Sequence, residues 1–205
     1  MKFKIRASAA GKVMTNPRKK EDLISKTTQS YVEEWLKSQI YGYDKEINSK
    51  YIDKGNMLEG YAIDQVIDWL DLQMVVKNED TFEDEFFTGT PDILLPDEVI
   101  DIKNSWDCFT FPLFEDEIPT PGYYYQLQVY MHLTKRKKAR LVYCLLDTPE
   151  DIAPYEPERN YEKLDKEYRV KTFDVEYSPE VIKDLQERVV NIRSFIKSKY
   201  SKFIK

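Results

Sequence analysis

Residues 89–103 read Gly-Thr-Pro-Asp-Ile-Leu-Leu-Pro-Asp-Glu-Val-Ile-Asp-Ile-Lys, two short strand-like runs about a Pro/Asp-rich turn at residues 95–98. Taken with period two, Ile93, Leu95, Ile100 and Ile102 share one face. Asp92, Leu94, Val99, Asp101 and Lys103 share the other. An even-numbered turn pairs Ile93 with Ile100 and Asp92 with Asp101. An odd one would mix the two faces, so burial selects the even register. The consequence is two carboxylates side by side, within roughly 5.5 Å between Cα atoms, with Lys103 next along that face. Two bare carboxylates that close repel each other. A hard cation between them removes that cost, and oxygen-only ligands favour Mg²⁺, with Mn²⁺ as a substitute.

The rest of the composition narrows the chemistry. Cys108 and Cys144 are the only cysteines and His132 the only histidine. A disulfide framework, a four-cysteine metal or iron–sulfur site and a His-rich zinc site are therefore excluded, as is any Ser-His-Asp triad not built on His132. A length of 205 residues predicts a single domain over 1–205. No run approaches the roughly 18 apolar residues that span a bilayer, and the opening Met-Lys-Phe-Lys-Ile-Arg lacks a signal-peptide core, so a soluble, cytoplasmic protein is expected.

The formal net charge of −6 is unevenly spread. Lys2, Lys4, Arg6, Lys12, Arg18, Lys19 and Lys20 precede any acid, residues 79–101 carry acids and no base, and a second basic run spans 135–140. From Arg188 onward the charged residues are again all basic. An acidic middle between basic ends suits a divalent cation beside a phosphate-binding surface.

Periodicity predicts helices over about 28–41, 57–70 and 122–134, and a last one opening at Ser178-Pro179. Ser8 is expected to cap a short helix over about 9–14. Strands are expected near 82–87, 92–95, 99–104 and 139–146, with one or two more between 168 and 177. Segment 147–167 looks like an exposed excursion. Glu59 heads the apolar stripe of its helix, and Gln126 lies on the stripe with Val129, Tyr130 and Leu133. A polar group facing a core calls for a partner.

Pro91-Asp92 followed by Asp101-Ile102-Lys103 is a PD-(D/E)xK string, although Pro96-Asp97 shows how easily its first half arises. The order of Glu59 helix, PD strand, DxK strand and Gln126 helix resembles the lambda-exonuclease-like, YqaJ-type viral recombinase nucleases. Ile5-Arg-Ala-Ser8, Lys54-Gly55-x-x-x-Glu59, Gly89-Thr-Pro-Asp92, Asp101-Ile-Lys103 and Tyr125-Gln126-Leu-Gln-Val-Tyr130 resemble that family's motifs in turn. The likeness covers about residues 3–146 and leaves strands and a helix over 167–205 as an addition. Asp101 stands where glutamate is common. Any further site acid before the PD strand is one of Glu83, Asp84 and Glu85.

The resemblance implies an α/β fold with a restriction-endonuclease-like core, a central mixed β-sheet flanked by helices. It implies that Asp92, Asp101, the Ile102 carbonyl and Glu59 hold Mg²⁺, that Lys103 serves the attacking water, and that Gln126 positions the water or Lys103. Ser8, with Arg6 and Thr90, would take the DNA 5′-phosphate. The implied activity is 5′→3′ digestion of duplex DNA ends, leaving 3′ single strands for recombination. A single-strand annealing protein as partner and a homotrimer follow from the same likeness. The alternatives are a restriction-like or structure-specific endonuclease, or a non-catalytic DNA-binding or inhibitor module on the same fold.

Overall fold

The computed structural model describes residues 2–45, 49–152 and 159–203. The elements in chain order are β1 (Ile5–Arg6), α1 (Ala10–Val13), α2 (Lys26–Tyr41), α3 (Lys50–Trp69), β2 (Phe82–Glu83), β3 (Phe87–Gly89), β4 (Ile93–Leu94) and β5 (Glu98–Asn104). They continue with α4 (Pro121–Thr134), β6 (Lys138–Cys144), β7 (Val170–Glu176) and α5 (Pro179–Tyr200). The fold is mixed α/β, as the sequence implied, with its strands divided between two sheets. One is four-stranded in the order β4-β5-β6-β7, and the other is three-stranded in the order β1-β3-β2. In the larger sheet β5 and β6 run parallel and the other neighbours antiparallel. The parallel pair needs a crossover, which α4 supplies.

The alternation around the hairpin sorts its side chains onto two apolar layers. Ile93 and Ile100 join Val142, Cys144 and Leu146 with Ala62, Ile63, Val66 and Trp69 of α3. Val99 joins Leu141 and Phe173 with Leu127 and Val129 of α4 and Leu185, Val189 and Ile192 of α5. The sheet is thus covered on both faces, and β7 and α5 belong to the same core as the hairpin.

Four local expectations need correction. The strand expected at 82–87 is a tight hairpin, because Asp84 Oδ1 accepts the Phe86 and Phe87 N–H groups and turns the chain there. The helix expected from 57 begins at Lys50, since Lys54 is buried rather than solvated. Its Nζ donates to the carbonyls of Ser105, Trp106 and Leu146, which satisfies a charge that would otherwise forbid burial. Ser8 caps no helix. It sits in a 3₁₀ turn, Ala7–Ala9, ahead of the four-residue α1, and makes no capping hydrogen bond. The excursion at 147–167 is tied down in part, with Tyr161 buried and its N–H donating to Asp147 Oδ1, while residues 153–158 of it lie outside the described residues.

Candidate active site

The even register is the one the hairpin adopts. Ile93 lies opposite Ile100 and Leu94 opposite Val99, with the Leu95 N–H closing the turn on the Glu98 carbonyl. Asp92 falls one position before β4, and its Oδ2 accepts the Ile102 N–H at 2.6 Å. Asp101 is 2% exposed. Its Oδ1 accepts from Gln126 Nε2 at 3.1 Å, while its Oδ2 lies 2.7 Å from Lys103 Nζ without hydrogen-bonding geometry. The Lys103 ammonium also lies over the Tyr123 ring, 4.8 Å from its centroid, at the first turn of α4.

The electrostatics follow from crowding two acids in a poorly solvated place. Burial, then the neighbouring Asp101 charge, pushes Asp92 up to about 7. Burial alone would lower Lys103, yet the Asp101 and Asp92 carboxylates outweigh it and hold the ammonium above the usual lysine range. Lys103 is therefore a fixed cation at neutral pH. Asp101 Oδ2, buried and met only by the Lys103 ammonium at 2.7 Å, and Asp92, which commits only Oδ2, present hard anionic oxygens that fit a divalent cation.

Gln126 meets Asp101 and not Lys103, so it orients the carboxylate directly. Its amide also donates to the Tyr130 hydroxyl at 3.0 Å. Tyr130 carries the network onward into a recess of about 250 Å³ lined by Arg6, Ala7, Ser8, Thr81, Thr88, Gly89 and Thr90. Ser8, Arg6 and Thr90 are thus brought together, with the Thr90 hydroxyl 2.8 Å from that of Thr81. Gly89 is required where it is. A Cβ there would fall 2.6 Å from Tyr130 Cε1 and 2.9 Å from Ala7 Cβ. Tyr130 was read only as an apolar helix position, although its i, i+4 spacing from Gln126 is the signal that pairs them.

Glu59 departs from expectation. It is exposed rather than core-facing, and its Oε2 is 2.5 Å from Lys77 Nζ. It still raises Asp92 through its charge. Among the described residues no group of three or more His, Cys, Asp or Glu side chains is gathered for a metal. None of the three acids before the PD strand joins the pair. Glu83 meets Lys4, Asp84 meets His132, and Glu85 meets Lys2 and Arg193. Lys77 was missed altogether, because only the fold of the 70–81 loop brings it to Glu59.

Solved structures share this fold. A phage-related exonuclease from Haemophilus somnus 129PT matches with a TM-score of 0.87 and 30% identity, over 98% of this chain and 97% of that one. An alkaline exonuclease (LHK-Exo) from Laribacter hongkongensis shares the fold, with a TM-score of 0.73 and 19% identity over 97% and 90% of the two chains. LHK-Exo in complex with dAMP gives 0.69 and 21%, over 97% and 94%. No protein-family model and no curated protein matches. The chain belongs to the lambda-exonuclease-like, YqaJ-type nucleases. Among the described residues no helix is long and apolar enough to cross a membrane.

Proposed function

We propose that this chain is a Mg²⁺-dependent DNA exonuclease that digests duplex ends 5′→3′ and leaves 3′ single strands for recombination. The observation that carries the reading is the Asp92–Asp101 pair, Asp101 buried and Asp92 partly so, with Lys103 against it, in a chain of an exonuclease family. Asp92, Asp101 and the Ile102 carbonyl would hold the ion, with Mn²⁺ able to replace Mg²⁺. A divalent cation held there would polarise the scissile phosphate and lower the pKa of the attacking water. Lys103, 2.7 Å from Asp101, would orient that water and stabilise negative charge developing on the phosphate. Gln126 restrains Asp101 through Oδ1, so that Oδ2, against Lys103, is the oxygen that would meet the ion.

The recess supplies end recognition. A terminal phosphate monoester carries nearly one more charge than an internal diester, and the Arg6 guanidinium with the hydroxyls of Ser8, Thr88 and Thr90 suits it. The dAMP complex of LHK-Exo shows a relative of this fold with a nucleotide. Family likeness supports duplex DNA ends as substrate, an annealing protein that takes the 3′ strand, a homotrimer and a cytoplasmic place of work.

The test is a time course on end-labelled linear duplex with and without Mg²⁺, comparing 5′-phosphate with 5′-hydroxyl ends. Hydrogen bonds to a charged group are worth about 1.5–3 kcal/mol, so the phosphorylated end should be digested about ten- to hundredfold faster. Covalently closed circles should survive. Equal rates on both ends with nicked circles would overturn the exonuclease in favour of an endonuclease, and intact label under all conditions would point to a non-catalytic module.

A further inference from the structure

The Glu59 carboxylate lies near enough to raise Asp92 through its charge, yet stands apart from the Asp92–Asp101 pair, and each of the two places has its own lysine. Lys103 neutralises Asp101 from within the sheet. Lys77 meets Glu59 at 2.5 Å, with both side chains near half exposure (40% and 49%). The position of Lys77 is not that of a loose surface lysine. The next residue, Asn78, donates its backbone N–H to the Asp92 carbonyl at 2.8 Å and its side-chain amide to the Pro91 carbonyl at 2.9 Å. Asn78 also braces its own loop, bonding the Asp80 carbonyl and N–H. The loop bearing Lys77 is therefore clipped to the backbone of Asp92 itself. Its ammonium feels Glu59 first, and Asp92 and Glu79 as well.

A lysine that merely decorated the surface would need no such clip, and an acid serving only helix solubility would need no dedicated cation. The ammonium supplies one positive charge at the mouth of an acidic pair, where a divalent cation would supply two. Both seek the Glu59 carboxylate. We propose that Lys77 is a built-in counter-cation that holds Glu59 out of the metal set, so that a divalent ion must displace it to gain Glu59 as a ligand. This rests on the reading of Asp92 and Asp101 as the metal site.

The sign of the effect separates this role from a supporting one. If Lys77 competes, removing it frees a carboxylate and deletes a repelling charge, and both changes tighten cation binding. If Lys77 instead props Glu59 in a ligating position, removing it weakens binding. The experiment is calorimetric titration of the chelator-treated, full-length chain with Mn²⁺, without DNA. Lys77→Met should bind about five- to tenfold tighter, the scale for deleting one elementary charge beside a partly solvated ion. Lys77→Arg, which keeps the charge, should stay near wild type. Glu59→Gln in the Lys77→Met background should lose most of the gain, because the ligand released is Glu59. Equal or weaker binding by a folded Lys77→Met chain, with wild type binding normally, overturns the proposal and leaves the metal site standing. If neither wild type nor any variant binds Mn²⁺, the metal reading and this proposal fall together.

Discussion

Asp92 sits among charges that leave it no comfortable ionisation state without a cation. Folded, it keeps its proton up to about 7, through burial and then Asp101, while the unfolded chain releases that proton near 4. Between those values the folded state binds the extra proton, so the contribution of Asp92 to metal-free stability falls as pH rises from about 4 to 7 and levels off above. Asp92→Asn abolishes the slope. In chelator at pH 8 this variant should exceed wild type by on the order of 1–3 kcal/mol and converge with it near pH 4, as read by thermal melts across pH. A gap between Asp92→Asn and wild type that does not widen over that window would contradict the crowded pair. Lys103 invites the complementary experiment. Lys103→Ala should lose about 10²–10³-fold in single-turnover cleavage, the cost of removing one preorganised charge donor, while Mg²⁺-dependent duplex binding persists. Retained cleavage with lost metal binding would reverse its assignment.

At the scale of elements, the site depends on how closely α1 and α4 approach. A Cβ on Gly11 would lie 2.6 Å from the Gly122 Cα, a backbone atom that cannot step aside, whereas one on Gly122 would lie 3.9 Å from the Gly11 Cα. Gly11→Ala should therefore cost about 1–3 kcal/mol by overpacking, and Gly122→Ala little, in urea denaturation. The same contact spaces the recess wall before α1 from Gln126 on α4, so the first substitution should also slow digestion. Elements differed in how readable they were. The hairpin register was legible because period-two alternation feeds two separate apolar layers, and only one pairing satisfies both. Helix α5 was legible from its Ser178-Pro179 start and its stripe of Ile182, Leu185, Val189, Ile192 and Ile196. The helix cap expected of Ser8 was not found, because a good capping residue is a local signal and the 3₁₀ turn there is set by burial of Ala7 and Ala9.

Across the whole molecule, what escaped the sequence are contacts closed over long separations. Lys54 reads as a solvated helix residue until three carbonyls from 105, 106 and 146 converge on it. Glu59 reads as core-facing until Lys77 arrives on a loop anchored to Asp92. The basic C-terminal run reads as a phosphate-binding surface, yet Arg188 and Arg193 are engaged with the chain's own beginning. Arg188 donates to the Thr15 carbonyl and Asn16, and Arg193 donates twice to the Phe3 carbonyl and once to that of Glu85. Those bonds join the two ends of the sequence across the fold. The strand that carries Arg6 pairs with β3, and the chain just ahead of it gains a second tether, at the Phe3 carbonyl, from residue 193, most of the sequence away. A chain without Arg193 would keep the β1–β3 pairing and lose the clasp that steadies one wall of the recess from the far end of the sequence.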